Sequence, residues 1–467
     1  MTREKIIGKL LPAGLALAGV VIIGWWWFGS NQTGSLKERI PGADRVDETN
    51  FISGTAAQWE AKLVKSNGVP SNLPGSWPRF RGSNLDNISP ESVPLAKSWG
   101  DGGPKVLWNI DVGEGFAGAA VWNGRVYVMD YDRAGQADAL RCLSLDDGRE
   151  IWRYTYPVKI KRNHGMSRTV PSVNDKLVVA IGPKCQVTCL DPVSGALHWK
   201  MDLVKDFNTE VPPWYAGQCP LIDGDRVILA PGGDALVIAV DGLTGKIIWK
   251  SPNPNNWQMT HSSLMPLEFR GRRMYVYCAS GGVTGISATD GAILWQTPDW
   301  KISIANVPSP VPAGDGRIFF CGGYDAGSMM LQLKENGSKP VPQILFKLKP
   351  TVFGATQQTP ILYRDHLFGV RPDGQLVCLD LNGKSIWESG GKNKFGGGPF
   401  LIAQGLIYAL NETGTLVLAE ADPSGYKPLA QAKVLDGPDA WGPMALAGGR
   451  LIARDLNKMV CLEVGAQ

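Results

Sequence analysis

The chain has 467 residues, including 57 glycines and 33 prolines, and 44% of its residues are hydrophobic. The glycine and proline content argues against a mainly helical protein, whereas the hydrophobic fraction and the 17 tryptophans exclude a disordered or collagen-like chain. The formal net charge is only +4 and no run of lysine or arginine stands out, so nothing in the charge pattern indicates a nucleic-acid partner.

The first predicted element is an export signal that stays in place as a membrane anchor. Residues 10–28 are 19 uncharged residues, enough for a helix to cross a bilayer. Basic residues precede this run and three consecutive tryptophans close it, which is typical of a cytoplasmic N-terminus and an interfacial aromatic belt. A cleaved signal peptide is the alternative, although Phe28 fits its small-residue cleavage site poorly. We expect residues 1–30 to be a single-pass anchor in the inner (cytoplasmic) membrane, with the remainder periplasmic.

A polar stalk is predicted next, over residues 31–76. This stretch has mixed charge and little periodic hydrophobicity, as in a linker. Residues 55–64 within it have the composition of a short helix. The globular domain is expected to cover residues 77–467.

One motif recurs along that domain: a strand with aspartate, a glycine turn, and a strand that ends in tryptophan. The copies are residues 143–152, 189–199, 240–249, 286–295 and 378–387. A β-rich strand precedes each copy, and a shorter strand, often marked by proline, precedes that one. Each unit therefore has four strands, an arrangement typical of a propeller blade.

The spacing of the motif predicts eight blades. From Trp152 to Trp387 there are 235 residues over five steps, a mean of 47, with Phe346 in one tryptophan slot. The next two outer strands fall near position 434 and beyond the last residue. Residues 105–112 are an outer strand without a blade in front of it, so we expect them to complete the sheet of residues 442–446, 450–454 and 458–464. Such closure removes the open sheet edges.

The turn residues of the motif have a structural explanation. A glycine after the aspartate strand permits positive φ, and the tryptophan four residues later is expected to cover that backbone and to fill the wedge between blades. The repeated aspartates are interpreted as turn formers rather than catalytic groups. They are Asp146, Asp191, Asp241, Asp290 and Asp380.

This repeat resembles the PQQ-like, or quinoprotein-type, β-propeller repeat over residues 77–464. Residues 77–84 (WPRFRGSN) are similar to the W-P-x-x-R-G-x-N opening of exported members of that family, and residues 420–435 are similar to their penultimate blade. The resemblance implies an all-β, eight-bladed propeller. The family includes quinone-dependent alcohol dehydrogenases and the propeller lipoprotein of the outer-membrane assembly machinery, so the repeat is specific for architecture and not for function.

The quinone chemistry of the family's enzymes is not predicted here. In those enzymes, the resemblance implies, an adjacent cysteine pair packs on the quinone, Glu, Asn and Asp bind calcium, and an Asp is catalytic. None of the eight cysteines is adjacent to another, and no C-x-x-C-H haem motif occurs. Four of the cysteines, at positions 142, 189, 378 and 461, occupy equivalent third strands and should be buried free thiols. We therefore predict no catalytic residue, metal site or cofactor; PQQ with Ca²⁺ belongs to the alternative, a periplasmic PQQ-dependent oxidoreductase.

The candidate binding face is formed by the connections between an outer strand and the next inner strand, which all open at one end of the central channel. Aromatic, basic and amide side chains converge there and suit protein partners or glycans, although packing beneath the loops would use the same side chains. The candidates are Arg162, His164, Arg168, Trp214, Tyr215, Trp257, His261, Trp300, Asn306, Phe353, Gln357, Lys394 and Trp441. The predicted function is a membrane-anchored extracytoplasmic scaffold for binding or assembly.

Overall fold

The computed structural model describes residues 19–24, 59–337 and 339–466. The chain divides into two compact units, Met1–Asn50 and Phe51–Gln467. In the first unit residues 19–24 are helical, and the rest of the predicted anchor, like residues 31–58 of the predicted stalk, lies outside the described residues. Among the residues described, no helix is both long enough and apolar enough to span a membrane.

The second unit is an all-β propeller of eight blades, as the spacing predicts. We number the blades from the first complete one. Blades 1 to 7 each contain four consecutive antiparallel strands in order from the channel to the rim. Their strands are Ala120–Trp122, Arg125–Asp132, Ala137–Ser144 and Glu150–Pro157 in blade 1; Ser172–Val173, Val178–Ile181, Gln186–Leu190 and Leu197–Asp202 in blade 2; Leu221–Asp223, Arg226–Leu229, Ile238–Asp241 and Ile247–Lys250 in blade 3; Met265–Phe269, Arg272–Ala279, Gly282–Ser287 and Ile293–Thr297 in blade 4; Val311–Pro312, Arg317–Gly322, Gly327–Asn336 and Lys339–Leu348 in blade 5; Ile361–Tyr363, His366–Val370, Leu376–Asp380 and Ser385–Glu388 in blade 6; and Phe400–Ala403, Leu406–Leu410, Thr415–Glu420 and Pro428–Lys433 in blade 7.

Blade 8 closes the ring with strands from both ends of the domain. Its inner strands are Ala445–Ala447, Arg450–Arg454 and Lys458–Glu463, and its outer strand is Lys105–Asp111. Lys105 pairs with Glu463 and Asp111 with Lys458. The predicted closure is confirmed. A short helix, Leu203–Phe207, follows the outer strand of blade 2.

The rim tryptophans fill the wedges between blades, but those of blades 8, 1, 2 and 3 cover the turn of the next blade and not their own. A Cβ atom placed on Gly195 of blade 2 would lie 2.8 Å from the indole of Trp152, which belongs to blade 1. Gly245 meets Trp199 of the preceding blade at the same distance. The expectation that the indole covers its own turn is wrong because a side chain on a strand stands perpendicular to its sheet and reaches the facing sheet instead.

A fifth strand, Lys62–Lys65, pairs antiparallel with the outer strand of blade 1. The expected helix over residues 55–64 is therefore wrong in its described part. The free edge of blade 1 offers ready backbone partners, whereas a ten-residue helix is marginal in water. Trp59 stacks on Tyr156 at 5.3 Å between ring centroids, so the chain is attached to the propeller before the predicted domain boundary at residue 77.

Residues 71–96, here called the crossing segment, run across one end of the central channel. Trp77 exchanges both backbone hydrogen bonds with Val121 of blade 1. Ile88–Ser89 pairs in parallel with the inner strand Phe400–Ala403 of blade 7, and Ala96 donates to the carbonyl of Val464. The motif that resembles a family opening thus forms part of a segment that joins the inner strands of several blades.

Arg81 is the most buried charge of the crossing segment, with 3% of its surface exposed. Its Nε donates to the carbonyl of Leu85 at 2.8 Å, and its terminal nitrogens donate to the carbonyls of Asp86, Thr359 and Pro360 at 3.0 to 3.2 Å. Desolvation lowers the pKa of Arg81 to about 10, so the guanidinium stays charged at neutral pH. One side chain therefore ties the crossing segment to blade 6.

Hydrogen bonds between equivalent positions join the inner strands of neighbouring blades. The Val170 amide donates to the Cys219 thiol at 3.2 Å, and the Cys219 amide donates to the Ser263 hydroxyl at 3.0 Å. The Ser263 amide donates to Ser309, and the Ser309 amide to Thr359, each at 3.0 Å. Blades 2 to 6 are thereby joined around the channel.

All eight cysteines are buried free thiols, including the four predicted from the sequence. Burial raises the pKa of Cys219 to about 11, which keeps this thiol protonated at neutral pH.

Candidate functional site

Two kinds of connection meet at the end of the propeller opposite the crossing segment. They are the loops from the outer strand of one blade to the inner strand of the next, and the turns between the second and third strands of a blade. We call this end the loop end and the opposite end the turn end. Because strands alternate in direction along a blade, both kinds of connection lie at the same end. The loop end therefore holds every predicted site residue together with side chains of the second-to-third turns.

Arg168 is a highly connected side chain of the loop end. It donates hydrogen bonds to the carbonyls of Trp214, Asn163 and His164, the last at 2.6 Å. Its guanidinium also lies over the ring of Phe116, 5.1 Å from the ring centre. Desolvation lowers the pKa of Arg168 to about 10, so it remains a cation at neutral pH. This contact network fixes the loops between blades 1 and 2 and between blades 2 and 3.

Trp214 and Tyr215 both adopt left-handed backbone conformations, with φ of 61° and 73°. Non-glycine residues, and bulky ones above all, rarely adopt this conformation, which costs about 1–3 kcal/mol each. The contact from Arg168 to the Trp214 carbonyl and a 2.6 Å hydrogen bond from the Tyr215 hydroxyl to the Lys161 carbonyl hold the pair. Two half-buried aromatic side chains are thus fixed at the loop end by an adjoining loop.

His261 packs beside Trp214, with 6.4 Å between ring centroids. Burial lowers its pKa to about 4, and the charge of Arg168 acts in the same direction. The imidazole is therefore neutral near pH 7. It is 8% exposed and acts as a packing partner of Trp214 rather than as a surface group.

The same row of side chains continues to blade 8. Trp441 stacks on Phe116 with ring centroids 5.2 Å apart and an interplanar angle of 24°. Since Phe116 also lies beneath Arg168, the side chains form one continuous series. We call this series the aromatic arc; it consists of Trp441, Phe116, Arg168, Trp214 and His261.

A buried carboxyl group, Asp138, lies below the arc in blade 1. The Tyr156 hydroxyl donates to it at 2.6 Å and the Ser167 hydroxyl at 3.4 Å. Burial raises the pKa of Asp138 to about 8, so it is largely protonated at pH 7. It connects the rim strand that carries Tyr156 to the loop that contains Arg168.

Several predicted site residues are packing residues. Trp300 and Phe353 are 4% and 0% exposed and pack against Phe320 and Phe319 in blade 5. Trp257 is half-buried against Gly281. Asn306 is 2% exposed, and its amide has no hydrogen-bond partner in the part of the chain described. Among the basic candidates, Arg162 is exposed and forms an ion pair with Glu114 at 2.7 Å, and His164 is exposed.

The remaining candidates, Gln357, Lys394 and Trp441, line a single cleft of about 440 Å³. Blades 6, 7 and 8 contribute to it. Arg371 and Glu412 complete its charged lining.

Sequence reasoning missed Arg371, Asp373 and Glu412. They lie in the second-to-third turns of blades 6 and 7, within residues 371–374 (RPDG) and 411–414 (NETG). The strand alternation already places these turns at the loop end, and that signal could have identified them.

The small cavity beside Arg81 of the crossing segment has little space for a fused-ring quinone. Phe80, Arg81, Gln358 and Met444 surround this cavity of only about 10 Å³, room for about one water molecule. Within the described ranges, no group of three or more His, Cys, Asp or Glu side chains is arranged to bind a metal ion. The side chains at this position do not fit PQQ with Ca²⁺.

Comparisons with known proteins agree on the fold. A family profile described as outer membrane protein assembly factor BamB matches residues 136–389. The crystal structure of BamB from Moraxella catarrhalis superposes with a TM-score of 0.53 at 14% identity, covering 77% of this chain and 99% of that one. The computationally designed protein Ika8 gives a TM-score of 0.53 at 9% identity, over 77% of this chain and all of its own.

More distant similarity extends to a quinohemoprotein alcohol dehydrogenase, ADHIIG from Pseudomonas putida HK5, with a TM-score of 0.47 at 12% identity over 85% of this chain and 81% of that one. No curated protein matches the sequence. The structural matches describe the fold, whereas the profile covers more than half of the 467 residues. The chain therefore belongs to the BamB family of PQQ-like β-propellers.

Proposed function

We propose that this protein is an extracytoplasmic assembly scaffold that binds a protein partner at its loop end. The observation that supports this proposal most directly is the pair Trp214 and Tyr215, two aromatic residues in left-handed backbone that form hydrogen bonds with a neighbouring loop. Backbone strain persists where surrounding structure imposes it, and it concentrates at functional sites. Aromatic side chains fixed before binding lose little entropy when a partner docks.

The surroundings of the pair also suit a protein partner. Tyr324 and Ile304 lie at the same end and are 44% and 43% exposed. Aromatic and aliphatic groups among polar ones are typical of the centre of an interface. BamB is described as an outer membrane assembly factor, and a related role is assigned to this chain as part of the proposal.

Partner capture from membranes tests this function. Full-length protein with a photo-crosslinker near Tyr215 should capture one specific protein, and Trp214→Ala with Tyr215→Ala should lose it. Val193→Ser, at an exposed turn-end position (57% exposed), is the matched control and should keep the partner. An unchanged partner in the double variant would contradict the proposal.

We also propose that residues 1–30 anchor the protein in the inner membrane with the propeller on the periplasmic side. The support is the uncharged run over residues 10–28 and its closing tryptophans. In intact spheroplasts, added protease should digest the propeller, and alkaline carbonate should leave the full chain in the membrane. Protection of the propeller, or its release by carbonate, would contradict the anchor.

The alternative function, a periplasmic PQQ-dependent oxidoreductase, lacks a suitable space in the cavity beside Arg81. Purified protein given PQQ and Ca²⁺ should show no stoichiometric quinone spectrum and no dye reduction with alcohols or sugars. Turnover in that assay would overturn the scaffold proposal.

A further inference from the structure

The cleft between blades 6, 7 and 8 is separate from the strained pair Trp214 and Tyr215 and has its own chemistry. Its volume of about 440 Å³ is within the range of small-molecule sites. Side chains from three blades line it, so it belongs to the folded ring and not to one mobile loop. The lining residues include Gln357, Arg371, Asp373, Lys394, Glu412 and Trp441.

Some of the polar groups are held in place before any ligand arrives. Arg371 donates to both oxygens of Asp373, at 3.1 and 2.8 Å, and to both oxygens of Glu388, at 2.7 and 3.0 Å. Gln375 donates to Asp373 at 2.7 Å. Because these ion pairs favour the charged forms, the pKa of Asp373 is well below its usual range. The carboxylate of Asp373 is thereby a fixed but fully engaged acceptor at the wall of the cleft, because each of its oxygens already accepts hydrogen bonds from Arg371 and Gln375.

A second fixed acceptor lies on the blade 7 side. One oxygen of Glu412 accepts hydrogen bonds from the Gly397 amide and from the Trp441 indole nitrogen, both at 3.3 Å. The indole is in turn oriented by its stacking on Phe116. The Glu412 carboxylate and the Trp441 indole ring therefore lie side by side at the cleft.

Other groups in the cleft have no partner among the described residues. Lys394 is exposed and forms no ion pair there, and the side-chain amide of Gln357 forms no hydrogen bond there. Only one oxygen of Glu412 is engaged. The cleft thus offers an ammonium donor, an amide that both donates and accepts, and a carboxylate acceptor.

The charges and hydrogen-bonding groups that line the cleft indicate which class of ligand it can bind. Arg371 and Lys394 offset Asp373 and Glu412, so the lining charges sum to zero and favour neither a phosphorylated nor a strongly basic ligand. Aliphatic lining is confined to Val370 and Pro372, too little for a lipid. Alternating donors and acceptors beside one indole match a sugar ring, whose hydroxyls donate and accept and whose C–H face packs on aromatic carbon.

We propose that this cleft binds a short neutral saccharide of one or two rings, with Glu412, Lys394 and Gln357 contacting hydroxyls and Trp441 packing against a ring. This binding is independent of the protein partner assigned to Trp214 and Tyr215. The saccharide is a free oligosaccharide or the accessible end of a longer glycan, since both present the same rings.

The test uses the full-length protein in detergent with cellobiose, maltose and N,N′-diacetylchitobiose as probes. Saturation-transfer NMR and tryptophan fluorescence should show saturable binding of at least one of them. Glu412→Gln should weaken that binding by about tenfold, the loss expected for a charge-assisted hydrogen bond of about 1.4 kcal/mol. Lys394→Ala should also weaken it, whereas Lys392→Ala, an exposed neighbour outside the lining, should not.

Glu412 and Lys394 are exposed, so their substitution should leave the fold intact. Thermal melting of each variant, recorded beside the titrations, checks this. Longer soluble glucans and chitin oligomers then distinguish a free oligosaccharide from a glycan end. Absence of binding at concentrations on the order of 10 mM, or equal binding by all variants, overturns the proposal. A partner peptide that crosslinks in the cleft while no sugar binds also overturns it. Trp214→Ala with Tyr215→Ala should leave saccharide binding unchanged, so this proposal and the scaffold proposal can fail separately.

Discussion

The two ends of the propeller use left-handed backbone in different ways. At the turn end it falls on glycines such as Gly195 and Gly245 in the turns between third and fourth strands, where it has no steric cost, and on polar residues such as Arg270 and Gln404 in the turns between first and second strands. At the loop end it falls on Trp214, Tyr215 and Tyr324, where the same conformation is strained. The difference is therefore in the residue type, since the loop end holds bulky aromatic groups in backbone positions that stability alone does not favour.

The ends also differ in what occupies them. The crossing segment covers the channel at the turn end and buries Arg81 among backbone carbonyls. The loop end keeps an open cleft and contains two buried groups with displaced pKa values, Asp138 and His261. We therefore expect the free energy of unfolding to be sensitive to substitution of Arg81 and, through the titration of Asp138 and His261 at the loop end, to pH.

In the central channel, the largest effect is expected at Arg81. Arg81→Ala would leave four carbonyls without their donor and should lower the free energy of unfolding by about 3 kcal/mol or more. Urea denaturation followed by tryptophan fluorescence measures it. Arg162→Ala at the loop end, which removes only a surface ion pair, should change it by about 0.5 kcal/mol or less. Similar losses in the two variants would remove the contrast between the ends.

The next effect is the pH dependence due to Asp138. Its pKa is about 8 in the folded protein and near 3.8 when exposed, so the folded state binds the extra proton between these values. Stability contributed by the protonated group is therefore lost as pH rises from about 4 to about 8. Asp138→Asn, which imitates the protonated acid, should remove this decline from melting curves recorded across that window. A variant that declines as steeply as the unsubstituted protein would refute the assignment.

A smaller dependence of opposite sign is expected from His261. Its pKa is about 4 in the folded protein against 6.5 when exposed, so the unfolded state binds more protons between these values. Stability is therefore lost as pH falls from about 6.5 to about 4. His261→Gln should remove this acid loss, best measured in the Asp138→Asn background where the opposing slope is absent. An Arg81→Ala protein should keep both slopes, since its defect is at the other end.

The smallest effect on stability is expected for Trp214→Gly. Glycine relieves the left-handed backbone, and this gain offsets the lost packing of a half-buried ring, so the free energy of unfolding should change by about 1 kcal/mol or less. Partner capture should nevertheless be lost. Trp152→Ala at the rim, where the ring is 1% exposed, should instead cost about 3–5 kcal/mol. A strongly destabilised Trp214→Gly protein would mean that this residue serves packing.

The periodic part of the sequence predicts the fold well. The tryptophan spacing, Phe346 in a tryptophan slot and the early strand at Lys105–Asp111 are sufficient for eight blades and their closure, because each unit repeats the same local chemistry. The non-repeating parts follow from contacts distant in sequence. Lys62–Lys65 becomes a strand because blade 1 offers a free edge, and Arg81 finds its partners across the channel.

The candidate site is predicted less well, for a related reason. Composition of a loop does not say which side chains turn inward, so Trp300 and Phe353 match the same criteria as Trp214 and yet are buried. Arg371 and Glu412 lie in short turns that appear ordinary in sequence. Only the assembled ring brings them beside Lys394 and Trp441.

The pairing of Lys105–Asp111 with Lys458–Glu463 has a consequence for synthesis and degradation. A growing chain cannot complete blade 8 until Lys458–Glu463 has been synthesised, so the ring stays open and the outer strand Lys105–Asp111 stays unpaired until then. A product truncated before Lys458 would carry those open edges permanently. A chain that lacks the strand Lys458–Glu463 therefore keeps sheet edges exposed that can aggregate or be cleaved by proteases.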